Sequence, residues 1–100
     1  DVSQTLENIV YLELRRRGYD VYVGKLNNKE IDFVAEKQGE NIYVQVAYLL
    51  TDQKAQEREF GNLLQIEDNF PKFVVSMDEF DLSQKGIIHL NIKDFLLNSW

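Results

Sequence analysis

The chain has 100 residues, 44% of them hydrophobic, enough for one small domain with a single core but not for two. It has no cysteine, which excludes a disulfide framework or a thiolate metal site and points to a reducing compartment, here taken as cytoplasmic. A net charge of −6, from 11 basic and 17 acidic side chains, weighs against unaided tight nucleic-acid binding, which draws on Lys and Arg to release counterions.

The longest apolar stretch, Ile42–Leu50, is too short to cross a bilayer and is broken by Gln45, so no membrane role is expected. The chain opens at Asp1 with no signal-like segment and passes at once into a helical pattern, the profile of a domain excised from a longer protein. Residues 4–17 place Leu6, Ile9, Val10 and Leu14 on one helix face. Arg15, Arg16 and Arg17 complement the helix dipole, and Gly18 is placed to stop the helix. Tyr19–Leu26 reads as a strand with Tyr19, Val21 and Val23 on one side. After an Asn27-Asn28 turn, residues 29–37 and 41–49 read as two further strands.

Thr51 or Asp52 caps a second helix over 52–67, with Ala55, Phe60, Leu63, Leu64 and Ile66 as its apolar positions and Pro71 beyond its end. Lys72–Met77 and Gly86–Asn91 are short strands separated by an acidic loop, and Ile92–Leu97 closes the domain as a helix. The order is therefore α-β-β-β-α-β-β-α. It implies a mixed central sheet flanked by helices, an α/β (α+β mixed) class with a right-handed crossover through the second helix.

Asp32 stands inside the apolar run Ile31-Asp32-Phe33-Val34-Ala35, where aspartate is ordinarily excluded. If Gln38-Gly39 is a two-residue hairpin turn, Lys37 pairs with Glu40 and Asp32 falls opposite Gln45. Their Cβ atoms would lie roughly 4.5–5.5 Å apart on one face, with Glu30 opposite Ala47. Two oxygen-bearing side chains on adjacent strands make half of a magnesium site, which otherwise keeps waters and takes substrate phosphate oxygens. A lysine two residues beyond the second ligand would lie beside it and stabilise charge on the phosphate.

The element order, with Glu7-Asn8-Ile9-Val10 on the first helix, Glu30-Ile31-Asp32-Phe33 on one strand and Tyr43-Val44-Gln45-Val46-Ala47 on the next, resembles the PD-(D/E)XK nuclease-like superfamily. Over nearly the whole chain it is more closely similar to the domain of unknown function that ends many bacterial and archaeal AAA-type ATPases. The resemblance implies a restriction-endonuclease-like fold and an N-terminal ATPase domain in the parent chain, since no Walker-type glycine loop occurs here. It matches Glu7 to the helix acid and Asp32 to the strand acid. Gln45 stands where the superfamily has glutamate or aspartate, and Ala47 where it has lysine. Glutamine offers oxygen without charge, and alanine can neither position a water nor stabilise a phosphorane-like charge. The resemblance also admits a lysine on the following helix, where Lys54 lies in the first turn.

Each residue has a plainer reading as well. Glu7 is equally a solvated helix flank, Gln45 a buried amide bonding to Asp32 or the backbone, and Ala47 plain packing. His89 lacks a second imidazole or thiolate and reads as a strand residue rather than a ligand. Tyr43 and Tyr48 read as core or interface residues. Three functional expectations follow. The first is a non-catalytic accessory domain of an AAA-type ATPase, regulatory or binding a protein partner, with a degenerate site. The second is a magnesium-dependent nuclease using Glu7, Asp32, Gln45 and Lys54. The third is a non-cleaving nucleic-acid module that uses Arg16 and Lys29, and net charge disfavours it.

Overall fold

A computed structural model describes residues 1–100. Asp1 caps the first helix, α1 (Val2–Arg16), by accepting a hydrogen bond from the Gln4 N–H at 2.9 Å. Leu6, Val10, Glu13 and Leu14 form its buried stripe, and Gly18, at φ +94°, turns the chain out of it. Strands β1 (Asp20–Leu26), β2 (Lys29–Lys37) and β3 (Glu40–Val46) follow as an antiparallel meander. Its two turns, Asn27-Asn28 and Gln38-Gly39, each put two consecutive residues at positive φ, the handedness that matches strand twist. The second turn sets Lys37 opposite Glu40 and carries the expected register as far as Phe33 opposite Val44.

Asp52 caps α2 (Gln53–Leu64) through the Ala55 N–H at 2.7 Å. This helix stops three residues short of the expected 67. The Gln65 and Ile66 N–H groups turn back to Asn62 and Leu63, and that tightening drops Ile66 onto the core. Strand β4 (Lys72–Ser76) then pairs parallel with β3, and β5 (Ile88–Asn91) pairs parallel with β4. Lys85 and Gly86, both at positive φ, form a turn that delays β5 beyond the expected Gly86. Helix α3 (Ile92–Leu97) has the expected bounds. The sheet order is β1-β2-β3-β4-β5, so the chain has the expected mixed sheet and element order.

Apolar residues pack on both faces of the sheet rather than in a single core. On one face α1 and α3 bury Leu6, Val10, Leu14 and Phe95 against Ala35, Val44, Val46, Phe73 and Val75. On the other, α2 buries Phe60 and Leu63 against Ile31, Ala47, Val74 and Ile87. Trp100 folds back on the first face, stacked on Phe95 with ring centroids 4.8 Å apart and its indole N–H on the Phe95 carbonyl at 2.8 Å.

One departure positions the site. Tyr22 pairs with Val34 and Gly24 with Ile31, so Val23 alone faces both Asp32 and Phe33. That two-against-one count is a β-bulge in β2. It breaks the alternation: Ile31 and Val34 pack on the α2 face, while Phe33 and Ala35 pack on the α1 face. Gly24 permits it, because a Cβ there would lie 2.7 Å from a Val34 methyl and 3.1 Å from the Ile31 Cβ. Val23, expected to pack beside Tyr19 and Val21, is left 69% exposed.

Candidate functional site

Asp32 occupies the bulge. Beyond Phe33 and Val44 the backbone ladder between β2 and β3 ends, and two side chains take over from it. The Asp32 N–H donates to Gln45 Oε1 at 2.7 Å, and the Val46 N–H donates to Asp32 Oδ2 at 2.8 Å. Asp32 and Gln45 thus meet as the hairpin register predicts, but each bonds the other strand's backbone instead of converging on a shared ligand. Buried Gln45 needs an acceptor role of this kind, since an unpaired buried amide oxygen is costly.

Burial pushes the Asp32 carboxyl up to about 6, against the opposing pull of the Val46 N–H, with the Glu59 and Glu30 charges adding to the rise. Glu7 on α1 is also raised, first by burial and then by the Asp32 charge, so the two carboxylates are electrostatic neighbours. Glu59 on α2 is the third member. It is buried, bonded to Arg58 Nε at 3.1 Å, and raised by desolvation. Sequence reasoning passed over Glu59, although its place between Ala55 and Leu63 on the buried stripe of α2 was a usable signal.

The charges acting most strongly on Asp32 are those of carboxylates. Lys54 is exposed in the first turn of α2. Ala47 packs with Ile31, Leu50 and Phe60 in the core on the α2 face. A magnesium ion asks for six oxygens in near-octahedral array. Here Gln45 Oε1 and one Asp32 oxygen are already committed to backbone donors, and no three His, Asp or Glu side chains are grouped to hold a metal ion. The residues present do not fit that metal.

The two cations considered for phosphate contact lie apart. Arg16 is held by Glu13 in a two-point pair, Nε–Oε1 2.9 Å and Nη2–Oε2 2.6 Å. Lys29 begins β2 opposite Leu26, whereas α1 delivers the chain to Asp20 at the other end of β1. The seven-residue strand β1, about 20 Å long, runs between those two ends. Arg17 does more than complement the helix dipole: it bonds Glu13 Oε2 at 2.7 Å and the Phe95 carbonyl at 2.7 Å, and lies 4.4 Å from the Trp100 ring. Both arginines hold Glu13 down to about 2.

A buried polar chain elsewhere escaped the sequence reading. The Leu82 N–H donates to His89 Nδ1 at 3.2 Å, which fixes the ring proton on Nε2. Nε2 then donates to Ser76 Oγ at 2.7 Å, and Ser76 donates to Asp78 Oδ2 at 2.7 Å, which also takes the Leu50 N–H. This order is not that of a hydrolytic triad, because the imidazole gives its proton to the serine rather than receiving one, and Ser76 is fully buried. The chain of bonds ties β4, β5, the acidic loop and the entrance to α2 together. His89 is thus a buried strand residue, as expected, with both ring nitrogens occupied.

The chain is 45% identical over 96 residues to an uncharacterized protein of Haemophilus influenzae. The match covers 95% of this chain but only 23% of that relative's length. No helix is long and apolar enough to cross a membrane. Residues 3–95 match the family model of the domain of unknown function DUF4143, and the chain belongs to that family.

Proposed function

We propose that this domain is a non-catalytic accessory module in the C-terminal part of an AAA-type ATPase, regulatory or partner-binding. Its scaffold would be nuclease-like, with the metal site replaced by structure. The exchange between Asp32 and Gln45 carries this reading: the two positions that would present oxygens to a metal spend them on each other's strand. Ala47 in the core and Lys54 in solvent supply no ammonium for a phosphate. Membership of a longer protein is supported by the relative, of which this chain spans 23%.

The test is cleavage of single- and double-stranded DNA and RNA by the full-length protein with magnesium or manganese. We expect no cleavage above that of an Asp32→Ala variant. Metal-dependent cleavage that Asp32→Ala abolishes would establish the nuclease alternative, which draws on the nearness of Glu7 and Glu59 to Asp32.

A further inference from the structure

The loop between β4 and β5 is unusually well fastened for a loop. Asp78 Oδ2 takes the Leu50 N–H and the Ser76 hydroxyl; the Leu82 N–H is on His89; and Ser83 Oγ takes the His89 N–H at 2.8 Å. Asn91 Nδ2 reaches the carbonyls of Met77 and Asp78 at 3.2 and 3.1 Å. Yet this fastened loop holds Phe80 out in solvent, 82% exposed. An aromatic ring on a loop that is already ordered loses little entropy on contact, which is the property of an interface anchor.

The neighbourhood of that ring has one sign. A cleft of about 180 Å³ beside it is lined by Glu79, Asp81 and Asp94, with His89 and Asn91. None of those three carboxylates takes part in any of the chain's ion pairs, although acids elsewhere do. Glu79 and Asp94 also lack side-chain hydrogen bonds, while Asp81 is bonded to Ser83. Burial shifts His89 toward its neutral form, against the pull of Asp78 and Asp81, and the cleft lining holds no Lys or Arg. Met77 and Tyr48 are also exposed, and the Met77 N–H bonds the Tyr48 carbonyl at 2.9 Å.

We infer that Phe80 and the acidic cleft beside it form a docking surface for a basic polypeptide segment, with a Lys or Arg side chain of that partner over the Phe80 ring and among Glu79, Asp81 and Asp94. Aromatic faces attract cations, and unpaired carboxylates around the ring select the same charge. This surface rests on the accessory reading and gives that domain a contact point. Contact at Phe80 is measured apart from cleavage at Asp32, so either can fail alone.

The experiment places a photo-crosslinking phenylalanine analogue at position 80 of the full-length protein in its own cells, with the same analogue at exposed Leu12 on α1 as the control. The crosslinked peptide is then sequenced. A discrete adduct specific to position 80, on a peptide of another protein carrying at least two Lys or Arg, is expected. Glu79→Gln with Asp94→Asn should lower its yield about five-fold, the effect of losing two exposed ion pairs. Both changes leave the loop's hydrogen bonds in place, and an unchanged melting temperature verifies it. Each of four results would overturn the proposal: no adduct beyond the Leu12 control, a peptide without basic residues, an adduct to a second copy or to lipid or nucleic acid, or a yield indifferent to the two neutral variants.

Discussion

Asp32 shows how a carboxylate can be put to structural use inside a strand. Its carboxyl, raised to about 6, is more easily ionised in the unfolded chain than in the folded one. The stability it lends is therefore complete below the unfolded value near 3.8 and is lost as pH rises through about 6. The shift corresponds to at most roughly 3 kcal/mol, which partial exposure screens to about 1–2 kcal/mol. Asparagine retains an oxygen for the Val46 N–H without the charge. Asp32→Asn should thus be more stable than the parent by about 1–2 kcal/mol at pH 7.5, with the gap closing near pH 4. Urea unfolding at the two pH values measures this, and a gap independent of pH would contradict it. The pairing of Asp32 with Gln45 was legible in the sequence because a two-residue turn fixes every register position after it. The bulge was not, since it depends on Ile31 and Val34 packing together over Gly24. Glycine inside a strand was the available sign.

At the scale of elements, boundaries were legible wherever a single residue type dictates the backbone. Asp52 caps α2, Gly39 sits at positive φ in its turn, and the Ile92–Leu97 helix has Asn91 as its cap. What periodicity does not contain is the connection between elements far apart in sequence. Arg17 is the clearest instance: it closes α1 and also takes the Phe95, Leu96 and Asn98 carbonyls at the end of α3. Its guanidinium lies against Trp100 and pairs with buried Glu13. Arg17→Ala would leave those carbonyls and part of the Glu13 charge unanswered, at a cost of about 2–4 kcal/mol. Trp100, the single tryptophan, reports it directly. Unfolding followed by its fluorescence should shift to lower denaturant, with Arg17→Lys intermediate because one ammonium cannot span the same acceptors. An Arg17→Ala midpoint equal to the parent's would mean the contact is ornamental.

For the whole molecule, the chain has the architecture expected from its sequence, and Asp32 and Gln45 serve the sheet's own hydrogen bonding. Helices on both faces bring Glu7, Asp32 and Glu59 into one neighbourhood, while Ala47 lies in the core and Lys54 in solvent. Binding to the folded state alone raises stability in proportion to the logarithm of ligand concentration, so metal affinity can be read from unfolding without knowing the reaction. Thermal unfolding in manganese up to about 10 mM, for the parent and for Asp32→Asn, therefore tests the account at its centre. Manganese should move both midpoints equally, because Asp32 and Gln45 are committed to backbone donors. A rise confined to the parent would show that Asp32 holds a metal, and that its bonds to the strand are the minor part of its role.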